Sequence, residues 1–416
     1  MGNVATEPIK GIGSGFMVYL LLLCVAIFEL NVVKCARITS LDSYTTFDVT
    51  EFGAIGDGIT DDAKAFKSAW EAACNKGLAT SMVTVPSGKT FLVSSVKFVG
   101  PCKSRSITFK ILGTIVAHPK ESWGNGGVGE WIMFHQVQAL SVVGNGQGVI
   151  DGQGASWWPN DRENHSPTAL RFSHCNNLRV SGLKHMNSQR NHISINGCNH
   201  ANISNLHITA PGTSPNTDGI DISSSSNLFI QDCVMETGDD CIAINGGTSS
   251  VLISRVTCGP GHGISIGSLG HNGKYDEVEG IHVDNCTFIK TQNGVRIKSW
   301  QGGAGFAKNI IFSNIIFELA DNPVIIDQYY CPHKTCDTKV GAVEVSDVKY
   351  TGLHGTSVAK NATINLRCSE TVPCTGIVLE DINIESVGEQ AANVAHCTNA
   401  HGSSRFCNPP INCVES

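Results

Sequence analysis

Asp218, Asp240 and His262 follow one another at intervals of 22 residues, and each stands two residues ahead of an apolar-x-apolar triplet that opens at Ile220, Ile242 and Ile264. Asp239 adjoins the middle one. Further on, Arg296 and Lys298 alternate with Val295 and Ile297. If the triplets are strands with their aliphatic members facing inward, the period of two sends Arg296 and Lys298 outward. Equal spacing then stacks the three ionisable groups on successive rungs about 4.8 Å apart. Stacked like charges repel, which raises at least one carboxyl pKa and lets an acid and a base coexist at one pH. An acid for the leaving oxygen and a base for water are the parts of glycoside hydrolysis, and neighbouring Arg and Lys would favour a sugar carrying a carboxylate. Two other chemistries use the same residues: a calcium site in a Gly-rich loop, or a column of turn carboxylates with no reaction at all.

The elements that must position these groups are written in the repeats. One frame, apolar-x-x-apolar, recurs as Val180/Leu183, Ile203/Leu206, Ile230/Cys233, Ile253/Val256, Val283/Cys286 and Phe312/Ile315, with Val345/Val348 and Leu379/Ile382 as further rungs. A second runs in phase with it: Ile193/Ile195, Ile220/Ile222, Ile242/Ile244, Ile264/Ile266, Val295/Ile297 and Val324/Ile326. Two strand frames in every 22 to 31 residues, separated by Gly and Asn turns, predict an all-β, right-handed parallel β-helix. A β-sandwich is the rival, but its strands need not repeat in phase. Solenoid ends need covering. Thr60-Asp61-Asp62 followed by the stripe Ala63, Phe66, Ala69, Trp70 and Ala73 predicts a short N-terminal capping helix from 61 to about 75. Cys368, Cys374, Cys397, Cys407 and Cys413 predict a disulfide-tied tail.

Composition narrows the setting. The chain has 416 residues, 16% of them charged, 44 glycines and a net charge of −7 with no basic stripe, which excludes a disordered chain and a nucleic-acid partner. Lys10, thirteen apolar residues from Phe16 to Phe28, and small residues at Cys35 and Ala36 read as a secretory signal peptide over 1–36. An uncleaved anchor is the rival, since Glu7 and Glu29 flank the stretch. Residues 37–416 then form a single mature domain, expected to be an extracellular monomer with no membrane contact. Fifteen cysteines from Cys74 onward imply several bridges and one thiol left over. Sequons stand at Asn164, Asn202, Asn285 and Asn361.

Asn216-Thr217-Asp218-Gly219, Gly238-Asp239-Asp240-Cys241, Gly261-His262-Gly263 and Arg296-Ile297-Lys298 resemble, in order and spacing, the polygalacturonases of glycoside hydrolase family 28. The stretches 214–219 and 258–267 look like the plant branch, and the resemblance runs from about residue 46 to 400. It implies that Asp239 is the general acid, that Asp218 and Asp240 activate water, and that His262 supports the acid. Arg296 and Lys298 are implied to hold a galacturonate carboxylate, with Tyr330, Asn216 and His192 as further substrate contacts; Tyr329 competes for the tyrosine position. A Cys241–Cys258 bridge, inversion of configuration, a polyanionic pectin substrate and no metal or cofactor are also implied. Carboxylates one rung apart suggest retention instead. The two agree if the close pair is the base and Asp239 the acid.

Two residues depart from that pattern. Asp221 stands where plant relatives commonly carry His, and Ala243 replaces a Ser, which leaves the preferred substrate open on that side. Rhamnogalacturonan or xylogalacturonan hydrolysis, calcium-assisted elimination by a pectin or pectate lyase, and a silent wall-binding protein remain as alternatives. Elimination does not require Asp-Asp followed 22 residues later by His.

Overall fold

Inward apolar side chains stack on apolar neighbours one rung above and below, so the repeat calls for a parallel coil. The computed structural model describes residues 44–123, 129–160, 166–332 and 336–414, besides the isolated Gly2. The signal-peptide reading over 1–36 and the sequon at Asn164 lie outside these residues.

One sheet carries the second repeat. In chain order its strands are β1 (Val96–Val99), β2 (Glu130–His135), β3 (Thr168–Ser173), β4 (Ile193–Asn196), β5 (Ile220–Ser223) and β6 (Ile242–Ile244). They continue as β7 (Ile264–Leu269), β8 (Asn293–Ser299), β9 (Asn322–Asp327), β10 (Ile364–Arg367) and β11 (Ala395–Thr398). Each pairs in parallel with the next. Ile193, Ile220, Ile242, Ile264, Val295 and Val324 are consecutive partners, as the spacing predicted. All are buried, as are Ile195, Ile222, Ile244, Ile266, Ile297 and Ile326. The first frame lies on the larger set of parallel strands, where Val180, Ile203, Ile230, Ile253, Val283 and Phe312 stack in turn. The coil is a right-handed parallel β-helix.

The register differs at one rung. Phe312 and Ile315 pair with Tyr350 and Leu353, and these with Leu379 and Ile382, so Val345/Val348 is not the next member of the column. Two causes combine: a loop closed by the Cys331–Cys336 bridge lengthens this turn, and the rung is filled by an aromatic with a hydroxyl. Tyr350 is fully buried and stacks on Phe312 at 5.2 Å between ring centroids.

The capping helix, α1, spans Ala63–Asn75 and starts two residues later than predicted. Asp61 and Asp62 precede the first turn: Asp61 accepts from the Ala63 and Ser94 amides, and Asp62 from Ile55 and Gly56. Phe66 and Trp70 close the apolar end of the coil, Trp70 lying 5.2 Å from Phe98 and 5.5 Å from Phe134. The tail is tied by Cys368–Cys374 and Cys397–Cys413. Five bridges form among the described residues, leaving five thiols and not one. Counting by parity fails because Cys175, Cys198, Cys233 and Cys286 serve as small apolar fillers inside the coil. No described helix is long and apolar enough to cross a membrane.

Candidate active site

The polar groups enter the cleft from the turns that precede β5, β6 and β7, and from the outward face of β8. Thr217 sets the first of these turns against the second: its Oγ1 lies 2.7 Å from the Ser214 hydroxyl and accepts from the Gly238 amide at 3.0 Å. A Cβ on Gly238 would come within 2.0 Å of the Ser214 carbonyl oxygen, so only glycine lets the two turns nest. The Cys241–Cys258 bridge fixes the same turn from below. The His262 amide donates to the Asp239 carbonyl at 2.8 Å, bringing the third turn into register.

Asp239 and His262 form the accessible part, with 24% and 34% of their side chains exposed. Their Oδ1 and Nδ1 are 2.9 Å apart, and the Asp240 amide donates to the same Oδ1 at 2.8 Å. Burial opposes the charge on Asp239, yet the hydrogen bond and charge of His262, with Lys298 nearby, outweigh it and hold its pKa below the ordinary carboxylate value.

Asp240 is enclosed, with 2% of its side chain exposed. Its Oδ1 accepts from Arg296 Nη2 and Ser265 Oγ, both at 2.8 Å, and its Oδ2 from Lys298 Nζ at 2.8 Å. Ser265 also accepts from Arg296 Nε at 2.9 Å. Sequence reasoning passed over Ser265. The signal was present, since it occupies the outward place between Ile264 and Ile266 and pairs with Arg296 across the ladder.

Asp218 and Asp221 are different. Burial, then the charges of Asp221, Asp239 and Asp240, push the Asp218 carboxyl well above its usual range, and Lys298 opposes this only in part. Burial lifts Asp221 to about 7, against the charge of Arg190 and with those of Asp240 and Asp239. Its Oδ2 accepts from Asn191 Nδ2 at 2.7 Å. The raised carboxyls expected from stacking therefore exist, but they are Asp218 and Asp221, whereas the acid implied by resemblance, Asp239, is shifted downward.

Among the remaining candidates, Tyr330 turns into the cleft, with Lys298 Nζ 5.2 Å from its ring centroid. Tyr329 turns away, beneath Arg367 at 4.7 Å, its hydroxyl accepting from the Glu370 amide. Asn216 sits part-exposed on the turn before Asp218 with φ of 54°. His192 has no exposed surface: its Nδ1 is 3.2 Å from the Asp218 carbonyl and its Nε2 3.3 Å from that of Thr209. Burial lowers its pKa to about 4, so it lies under the cleft as a neutral ring braced on the Asp218 backbone, out of reach of a sugar. Donor atoms of Asp239, Asp240 and His262 lie within 4.8 Å of one another, close enough for a metal ion. With Arg296 and Lys298 already on both Asp240 oxygens, a further cation there meets two positive charges.

A family model, glycosyl hydrolases family 28, matches residues 74–407. The chain is 48% identical over 378 residues to a probable polygalacturonase of Arabidopsis thaliana, an alignment covering 90% of this chain and 81% of that one. It is 41% identical over 397 residues to a polygalacturonase of Prunus persica, covering 94% and 99%. Among solved structures, it resembles an endo-xylogalacturonan hydrolase from Aspergillus tubingensis with a TM-score of 0.70 at 24% identity, covering 83% of this chain and 93% of that one. A polygalacturonase from Erwinia carotovora has a TM-score of 0.64 at 21% identity, covering 84% and 96%. At those identities the structures speak for the fold. The chain belongs to glycosyl hydrolase family 28.

Proposed function

We propose that the protein is a pectin-degrading polygalacturonase that hydrolyses α-1,4 bonds between galacturonates with inversion. The observation that carries this reading is the single cluster in which Asp239 and His262 face solvent above a carboxylate clamped by two cations. Asp239, bonded to His262, protonates the leaving oxygen as the glycosidic bond breaks. Water attacks from the opposite face while Asp218, once ionised, and Asp240 take up its proton. Arg296 has five N–H donors and Lys298 three; Asp240 and Ser265 use only part of this set, so the same cations can bind a sugar carboxylate while holding Asp240. Tyr330 walls the cleft beside Lys298. Asn216 reaches the substrate from the turn, and His192 fixes the backbone of Asp218 from beneath.

The pKa directions favour a second assignment on one point. Burial and like charges favour a proton on Asp218 while His262 disfavours one on Asp239, so the acid and base roles of Asp218 and Asp239 exchange unless the entering anionic sugar raises Asp239. Separate Asp218→Asn and Asp239→Asn variants, each assayed across pH, decide it: the acid is the residue whose loss removes the alkaline limb of the profile.

We further propose export from the cell and action in the wall as a monomer comprising residues 37–416. Five disulfides support an oxidising compartment, and the sequons at Asn202, Asn285 and Asn361 are exposed. Reducing ends and the ultraviolet absorbance of unsaturated products, followed on polygalacturonate with and without a chelator, test the reaction type. Hydrolysis gives chelator-insensitive reducing ends and no absorbance, whereas a chelator-sensitive rise in absorbance means elimination.

A further inference from the structure

The cleft lies on the sheet β1–β11, and the larger set of parallel strands carries a different column on its outer face. Asn202 pairs with Phe229, Phe229 with Leu252, Leu252 with His282 and His282 with Ile311. The flanking residues Ala201 and Ile203, Leu228 and Ile230, and Val251 and Ile253 are buried. Strand alternation therefore turns Asn202, Phe229 and Leu252 outward together. Phe229 is 47% exposed and Ile311 38%, while Leu252 is half-buried.

A phenyl ring and a leucine side by side on a solvent-facing sheet form a contiguous apolar patch, and such patches mark surfaces that something else covers. The residue one rung earlier supplies the cover. Asn202-Ile203-Ser204 is an N-x-S sequon, and Asn202 is exposed. Rungs lie about 4.8 Å apart, close to the length of one pyranose in a β-1,4-linked chain. A sugar on Asn202 Nδ2 that follows the column meets Phe229, and the next sugar meets Leu252. Ser204 is only 6% exposed in the folded coil, so the sequon has to be read before its strand is laid down.

We propose that Asn202 carries an N-linked glycan whose two core N-acetylhexosamines pack on Phe229 and Leu252. The proposal rests on the export reading above. In the transfer, Asn202 Nδ2 attacks C1 of an oligosaccharide held on a polyprenyl diphosphate. The C1–N bond forms, the bond from C1 to the phosphate oxygen breaks, and the diphosphate leaves with the electron pair while the amide gives up one proton; nothing is oxidised or reduced. The apolar C–H face of the first sugar then covers the Phe229 ring, and its hydroxyls face water. The sequon at Asn285 differs. It stands on a turn with φ of 51°, stacked between the polar side chains of Arg255 and Asn314, so a glycan there projects into solvent.

The test expresses the full chain in a yeast secretory host and reads each sequon by peptide mass spectrometry. Asn202 should be occupied. On the folded protein, endoglycosidase H should cut between its two core sugars more slowly than on the same protein unfolded. Phe229→Thr, at a solvent-facing position, should speed that cut about two- to tenfold, the range expected of one aromatic contact, and leave the rate at every other occupied sequon unchanged. Leu252→Thr should act in the same direction by a smaller factor. An Asn202 that is bare in secreted protein, or a rate there that neither substitution changes, overturns the proposal. If the chain stays inside the cell with its sequons bare, the export reading fails instead. The full chain behind a foreign secretory leader then decides Asn202 alone: occupancy with protection that depends on Phe229 upholds the packed glycan, and a bare Asn202 rejects it.

Discussion

The two sides of the carboxylate cluster hold their charge in opposite ways. Toward β8, Asp240 is buried but receives three donors, two of them cations. Toward β5, Asp218 and Asp221 have neighbouring carboxylates, with Arg190 and Lys298 as the cations that act on them. The backbone places all of them by the same rung spacing, so the coil itself does not set their protonation. The side chains one and two rungs away do. On the β8 side the desolvation of a carboxylate is offset by close ion pairs; on the β5 side the same desolvation meets like charges and the carboxyl pKa values rise. A site that needs both a base and an acid obtains them from this asymmetry.

Asp239 stands between the two sides, and its replacement should have the largest effect. Asp239→Asn keeps the shape and the hydrogen-bond reach but cannot cycle a proton. Loss of general-acid catalysis costs about 10²–10⁴ in kcat. The variant should melt like the wild type and still bind polygalacturonate; rates within a few-fold of wild type would remove Asp239 from the acid's role.

The clamp on the β8 side is tested next. Lys298, 9% exposed, and Asp240 form a buried pair, and deleting Lys298 leaves Asp240 Oδ2 buried without its donor, with Arg296 on Oδ1 as the remaining counter-charge. Lys298→Met should therefore destabilise the fold by about 3–5 kcal/mol, read as a fall in Tm. Adding Asp240→Asn should restore part of that loss, because no buried carboxylate is left short of a partner, although Arg296 then lacks its counter-charge. If the double variant is as unstable as the single, the clamp is not what keeps Asp240 in place.

Much of this asymmetry can be read from sequence, though not all of it. Ile193, Ile220, Ile242, Ile264, Val295 and Val324 reveal their register because each is an aliphatic residue at an inward position that must be apolar, and each rung repeats the constraint. Once that register is known, the outward places of Asp221, Arg296 and Lys298 follow. Tyr350 escapes because its rung lies beyond a long loop and its hydroxyl disguises a core position. Ser265 escapes because a serine carries no charge to mark it, and only the convergence of Asp240 and Arg296 gives its hydroxyl a task. The destination of Arg296 and Lys298 is similarly hidden: spacing shows that they point outward, but not that Asp240 lies within 2.8 Å of both. For His192 the resemblance implies a substrate contact, yet its ring folds under the Asp218 turn to meet two carbonyl oxygens.

The smallest expected effect tests the β5 side. Asp221 has its pKa raised from 3.8 to about 7 by burial among carboxylates. The folded state therefore holds this proton more tightly than the unfolded chain does. The stability it contributes is fully present below pH 4, and is lost as pH climbs through the folded value near 7. Asp221→Asn keeps the acceptor for Asn191 and never ionises. Relative to wild type, the variant should be near neutral in Tm at pH 4 and more stable at pH 8, by on the order of 1–3 kcal/mol once screening by the open cleft is allowed for. The same substitution should reduce the rise in KM for polygalacturonate between pH 5 and 8, because an ionised Asp221 repels the sugar carboxylate. A Tm difference that does not change with pH would mean that burial does not raise the Asp221 pKa in the folded protein, and the contrast between the two sides of the cleft would disappear.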